Sequence, residues 1–198
     1  MDVLLFSGGI DSTALAWNLR PGLLFFVDYG QAAAEGELRA ARAIAREIGL
    51  ELETVASDLS SLGSGIMAGG PARPGVPPEH WPLRNQLLVT LAAMRCASLG
   101  AERLILGTVA GDEEHDDGTP EFRGSLGSLL ALQGGPALHA PGAGVAAEAL
   151  VERYAVPDRV LHWTFSCHTG PWACGACRGC QKHDRVMRAT AERRGESR

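Results

Sequence analysis

Three groups of residues carry the types and spacings that chemistry needs. Ser7-Gly8-Gly9-Ile10-Asp11-Ser12-Thr13 follows a short apolar run, Val3 to Phe6, and leads into the helical pattern of Ala14, Leu15 and Trp17. A Ser-Gly-Gly loop that feeds a helix offers successive backbone N–H groups and a positive dipole end to a phosphate. Gly8 and Gly9 permit close approach, and Asp11 and Ser12 add an acid and a hydroxyl that an ordinary strand-to-helix turn does not need. The loop has neither Gly-x-Gly-x-x-Gly spacing nor a Walker lysine, so the dinucleotide and common triphosphatase patterns do not fit. The second group is Cys167-x6-Cys174-x2-Cys177-x2-Cys180, with Gly175 and Gly179 allowing tight turns between thiols. Four thiols so spaced can ligate zinc tetrahedrally, with an iron–sulfur cluster as the rival that spacing alone does not exclude. The third is looser: Arg84-Asn85 opening a long helical run, and Asp112, Asp116, Asp117 and Glu121 further on. Carboxylates there could hold Mg2+ or accept from a guanine-like N–H edge, with a solvated acidic loop as the competing reading. His80, His115, His139, His162 and His168 read as surface or core residues, and Cys96 as a small core residue.

Regular elements must position these groups. Val3 to Phe6, Leu23 to Val27, Glu51 to Val55 and Arg103 to Val109 are continuous apolar or strand-like runs. Helical patterns alternate with them: one after the Ser-Gly-Gly loop, one from Glu35 to Ile48 stopped by Gly49, and one from Leu83 to Leu99 stopped by Gly100. Strands alternating with helices predict an α/β fold with a parallel sheet covered on both faces. Ligands of such sheets bind beyond the carboxyl ends of the strands. Residues 57 to 82 are rich in glycine and proline and read as a mobile loop or lid. Beyond Asp112 the pattern is irregular until a helix around Ala146 to Tyr154, a short strand near Val160 to Phe165, the cysteine segment 166 to 183, and an arginine-rich helical tail from His183. At 198 residues the chain reads as a single domain, 1 to 198.

Composition narrows the chemistry. Hydrophobic residues make up 45% and charged residues 21%, enough to bury a core. Of 18 basic residues only Lys182 is a lysine, and its place near the C-terminus argues against lysine-centred phosphate loops and Schiff bases. The net charge of −5, with arginines alternating with acids, gives no electrostatic footprint for duplex DNA, and nucleic acid is not an expected partner. No signal segment or run long enough to span a membrane is evident, so a cytoplasmic location is expected, where clustered cysteines favour metal over disulfides.

Ser7-Gly8-Gly9-Ile10-Asp11-Ser12 resembles the SGGxDS loop of the PP-loop ATP pyrophosphatases. Within that group the chain is similar over nearly its whole length to the QueC family of 7-cyano-7-deazaguanine synthases. The similarity lies in Asp28-Tyr29-Gly30-Gln31, Arg84-Asn85, Asp112, Pro120-Glu121-Phe122, Ser166-Cys167 and Cys174-Gly175-x-Cys177-x-x-Cys180. The resemblance implies a Rossmann-like parallel sheet of the PP-loop type with a C-terminal four-cysteine zinc segment. It implies a homodimer, ATP, Mg2+ and Zn2+, and 7-carboxy-7-deazaguanine as substrate. It places Ser7, Gly8, Gly9, Ile10, Asp11, Ser12, Thr13, Tyr29 and Gln31 at the nucleotide, with Asp11, Ser12 and Asp112 as catalytic residues. Arg84, Asn85, Asp117, Glu121 and Phe122 would hold the deazaguanine, and Cys167, Cys174, Cys177 and Cys180 the metal.

The chain also departs from the family. His115-Asp116-Asp117-Gly118-Thr119 stands where a Tyr-Pro-Asp-Cys-Arg segment is expected, and no lysine follows His139-Ala140-Pro141. His183 replaces an arginine three positions after the last cysteine, and Ala32-Ala33 replaces Arg-His. Cations near developing phosphate charge are worth several kcal/mol in a transition state, so their loss predicts an enzyme that stops after adenylation and amide formation. The acceptor is then ammonia or the N-terminal amine of a partner protein, as in QueC-like proteins of antiphage operons. The complete nitrile synthase, a tRNA-modifying PP-loop enzyme and a non-catalytic nucleotide-binding subunit are the alternatives.

Overall fold

A computed structural model describes residues 1–72 and 74–195, Glu114 by its backbone alone. Five strands, β1 (Asp2–Leu5), β2 (Leu23–Asp28), β3 (Leu52–Ala56), β4 (Arg103–Ile105) and β5 (Ala137–His139), form one sheet in the order β3-β2-β1-β4-β5. Every pairing is parallel, with Val3 opposite Leu23 on one side and Leu104 on the other. The helices are α1 (Ile10–Leu19), α2 (Ala34–Ile48), α3 (Arg84–Leu99), α4 (Pro120–Leu132), α5 (Ala147–Arg153), α6 (Asp158–Leu161) and α7 (Arg178–Arg193). The fold is thus the Rossmann-like α/β sheet expected.

The alternation of a pleated strand divides the core in two. Leu4, Phe6, Leu24, Phe26 and Ile105 point into a layer formed with α1, α2, α5, α6 and α7. Val3, Leu23, Phe25, Val27, Leu104 and Leu106 point the other way, against α3 and α4. The wholly apolar run of β2 follows from this, since both of its faces are covered. Strand order reverses between β1 and β4, so the loops leaving these two strands diverge and open a crevice.

Two sequence expectations give way, and a third gains detail. Residues 160 to 165 are not a strand: Pro157 starts the short helix α6, and Thr164 turns the chain by donating its hydroxyl to the Leu161 carbonyl. The stretch read as irregular after Asp112 contains α4 and β5. Gly124 and Gly127 dilute the helical pattern of α4, but Thr119 caps it by accepting the Phe122 N–H and Pro120 occupies its first position. β5 has three residues and is too short to show a period. The glycine- and proline-rich segment expected as a mobile loop carries two single-turn helices, Ser60–Leu62 and Ile66–Ala68. It is anchored in the core by Met67 and Trp81, and Trp81 lies edge-on to Tyr29 with ring centroids 5.0 Å apart.

Candidate nucleotide and substrate cleft

A cleft of about 330 Å3 occupies the crevice at the carboxyl ends of β1 and β4. Ser7, Gly9, Asp11 and Ser12 line it from the first loop, Gly107, Thr108 and Asp112 from the loop after β4. Tyr29 and Gln31 enter from the end of β2, Arg84 and Asn85 from the start of α3, and Asp117 and Phe122 from the 112–122 turn. Glu121 is exposed on the first turn of α4 and does not face this cleft. A larger hollow of about 720 Å3, between Phe165 and Arg188 on the outer side of the cysteine segment, contains none of the loop residues.

The first loop is built by short polar contacts. Ser7 Oγ accepts the Gly9 N–H at 3.3 Å, and Ser12 Oγ donates to the Gly9 carbonyl at 3.2 Å. Gly9 is the N-cap of α1 and no side chain caps it, so the N–H groups of Ile10, Asp11 and Ser12 have no acceptor within the helix. Ile10 and Thr13 turn their side chains into the core, and the Thr13 N–H is taken by the Gly9 carbonyl at 3.0 Å. Gly8 is required on another count as well: at φ +73° a Cβ there would lie 2.7 Å from the Ala41 nitrogen, so the missing side chain admits α2.

Asp11 is the electrostatic centre. Its Oδ2 pairs with Lys182 Nζ at 2.7 Å, while its Oδ1 is buried without a hydrogen-bond partner. Burial raises the Asp11 pKa, Lys182 opposes that shift, and Asp112 and Glu148 add to it. An orphaned carboxylate oxygen with a second carboxylate in electrostatic reach suits a divalent cation. Asp11 and Asp112 are the residues that would hold Mg2+, whose role there would be to offset phosphate charge. Asp112 is itself oriented by the Val109 N–H, which donates to Oδ2 at 2.9 Å.

The β2 end is a buried network. Gln31 accepts the Tyr29 N–H at 2.9 Å and donates to the Val27 carbonyl at 3.4 Å and to Glu37 at 2.7 Å. Burial pushes the Glu37 carboxyl up to about 7, with Gln31 and Arg84 pulling the other way. Burial likewise raises the Tyr29 phenol. Arg84 stands opposite, donating to Asn85 and contacting Met67 Sδ at 2.8 Å.

Three lining or adjoining groups escaped the sequence reading. Glu37 continues the buried stripe of Ala41, Ile44 and Ile48 on α2, so an acid on an apolar face was the available signal. His168 lines the cleft, its Nδ1 buried without a partner and its pKa lowered by burial. Lys182 reaches the first loop from 171 residues away, and nothing local in the sequence announces that destination.

The cysteine segment docks onto the same loop, Phe165 N–H donating to the Gly8 carbonyl at 3.0 Å. Sγ atoms of Cys167, Cys174, Cys177 and Cys180 all lie within 4.8 Å of one another, and Cys174 and Cys180 are 3.9 Å apart. Zinc–sulfur bonds of about 2.3 Å need sulfur–sulfur separations of about 3.8 Å, so the cluster could hold a tetrahedral metal. The Thr169 hydroxyl, then the N–H groups of Ala176 and Cys177, pull the Cys174 thiol down to about 5, whereas burial pushes the Cys180 thiol up. Cys177 also caps α7, accepting the Cys180 N–H.

Residues 1–191 match the family described as queuosine biosynthesis protein QueC. The chain belongs to the QueC family. A 7-cyano-7-deazaguanine synthase of Synechococcus sp. (strain CC9605) is 31% identical over 211 residues, covering 94% of this chain and 92% of the relative. One from Parasynechococcus marenigrum (strain WH8102) is 32% identical over 208 residues, with 94% and 92% covered. The 7-cyano-7-deazaguanine synthase 1 of Desulfitobacterium hafniense (strain Y51) is 32% identical over 203 residues, with 93% and 90% covered. The QueC match spans both the first loop and the cysteine segment, the two parts that meet at the cleft. Among the described residues no helix is long and apolar enough to cross a membrane.

Proposed function

We propose that the protein uses ATP to adenylate the carboxylate of 7-carboxy-7-deazaguanine and passes the acyl group to an amine, forming an amide. The observation that carries this reading is the junction of an uncapped, uncrowded helix N-terminus with the unpartnered Asp11 Oδ1 in one cleft. A carboxylate oxygen of the substrate attacks the α-phosphorus, the bond to the bridging oxygen breaks, and pyrophosphate leaves with the electron pair. The N–H groups of Ile10, Asp11 and Ser12 would receive the pyrophosphate oxygens, which is electrostatic stabilisation at fixed donors. Asp117 would accept from the deazaguanine N–H edge, and Phe122 would cover its ring. The amine then attacks the acyl carbon and AMP departs.

Ammonia is one acceptor and a partner protein's N-terminal amine the other. The second reading is the complete nitrile synthase. The names of the relatives favour it, and so does Lys182, which brings a cation to the loop that the altered cationic positions had removed. His183 does not do this, since its Nε2 meets the Thr164 hydroxyl at 2.8 Å. Incubating the protein with ATP, 7-carboxy-7-deazaguanine and ammonia, with mass spectrometry of the products, separates the cases. Amide with AMP supports the first reading, nitrile the second, and absence of carboxylate-dependent AMP from every acceptor sinks both.

A further inference from the structure

We propose that Lys182, the one lysine of the chain, is the cation that takes up the charge of the departing pyrophosphate. This rests on the ATP reading above. Lys182 Nζ lies 2.7 Å from Asp11 Oδ2, in the first turn of the helix whose free N–H groups form the phosphate cradle. The position is enclosed, the lysine side chain being 26% and the aspartate 21% exposed.

Charge balance gives the lysine its role. Asp11, Asp112 and Glu148 are close enough for each of the latter two to raise the Asp11 pKa. Two carboxylates that line the cleft, Asp11 and Asp112, with Glu148 in electrostatic reach behind them, would repel a polyanion. Arg185 is engaged by Glu148 at 2.9 Å, and Arg84, which lines the cleft, is held against Met67 and Asn85. Lys182 is the cation bonded to the loop itself, on a flexible four-carbon stem that can swing from Asp11 to a neighbouring phosphate oxygen by bond rotation alone. When the bond from the α-phosphorus to its bridging oxygen breaks, the electron pair stays on pyrophosphate. An ammonium group at that oxygen is favoured more in the transition state than in bound ATP. Release of Lys182 also frees both oxygens of Asp11.

The lysine is delivered by a held scaffold. It sits two residues beyond Cys180, in the opening turns of α7, whose start is capped by Cys177. The preceding chain is tied to the loop through Phe165 and Gly8. The cysteine segment therefore supplies a side chain to the chemistry and is more than a structural clasp.

The test compares the wild-type chain with Lys182→Gln and Lys182→Arg, each checked for bound zinc and for thermal melting. Two readouts are taken: carboxylate-dependent AMP formation, and binding of inorganic pyrophosphate and of AMP by calorimetry. We expect Lys182→Gln to lose about 100-fold in kcat and about tenfold in pyrophosphate affinity, with AMP affinity and zinc content unchanged and partial recovery in Lys182→Arg. Unchanged pyrophosphate affinity in Lys182→Gln overturns the proposal. So does an equal weakening of pyrophosphate and AMP with a lowered melting temperature, which marks a structural role. A wild-type chain that forms no AMP overturns the ATP reading instead, and the pyrophosphate titration still decides the lysine.

Discussion

The first loop and the cysteine segment meet at one cleft but are made in opposite ways. Residues 7 to 13 offer main-chain N–H groups, and short contacts such as Ser7 with Gly9 and Ser12 with Gly9 shape them. Residues 166 to 183 work through side chains, and their shape depends on four sulfurs converging from fourteen positions of chain. A backbone cradle tolerates many side chains and depends on a few φ angles. A thiol cluster tolerates variation between its ligands and depends on the metal. The difference teaches where each can be broken.

The largest effect should come where the two parts touch. Asp11→Ala removes the orphaned oxygen and leaves Lys182 without its partner. Carboxylate-dependent AMP formation should fall by about 100-fold or more, while binding of the deazaguanine carboxylate stays within about threefold. A full-rate Asp11→Ala enzyme would remove Asp11 from the site.

Gly8→Ala strikes the backbone side. It asks for a left-handed φ of 73° and puts a Cβ 2.7 Å from the Ala41 nitrogen. Denaturant unfolding should show a loss of about 2 kcal/mol or more. A neutral result would mean that α2 can retreat from the loop.

Cys174→Ser tests the metal side. Zinc content should fall, measured by elemental analysis, and pyrophosphate affinity should weaken by about tenfold because Lys182 loses its fixed base. If zinc is lost and pyrophosphate affinity holds, the segment is not what places the lysine.

The smallest effect concerns pH. Burial raises the Glu37 carboxyl to about 7 in the folded chain. The raised value means that the unfolded chain gives up this proton first as pH rises. The stability linked to Glu37 is therefore complete below the ordinary carboxylate range near 4.5 and is lost as pH climbs through about 7. Glu37→Gln should flatten that part of the stability profile, read from melting temperature across the range from acid to neutral pH. An unaltered slope would assign it to another group.

The same contrast explains what the sequence made legible. Strands β1 to β3 and helices α1 to α3 were readable because each has a continuous apolar or periodic run, and α2 and α3 also end on a glycine, Gly49 and Gly100. The loop at Ser7 to Thr13 was readable because all its parts are adjacent. The four cysteines were readable as ligands because thiol spacing is a local pattern. Lys182 was not, since its partner is set by the packing of α7 against α5 in the layer that also holds α1, and a lone lysine carries no period. Glu121 shows the converse: an acid in a suggestive stretch, turned outward by the helix that Thr119 and Pro120 start.

Gly118 carries a consequence of its own. A Cβ there would collide with the Asp112 carbonyl oxygen, so the turn from 112 to 118 closes on itself too tightly for any side chain. A single side chain introduced at Gly118 would therefore force the turn apart. The 112–118 turn therefore tolerates replacement only as a whole, and a swap would change two cleft-lining carboxylates, Asp112 and Asp117, at once.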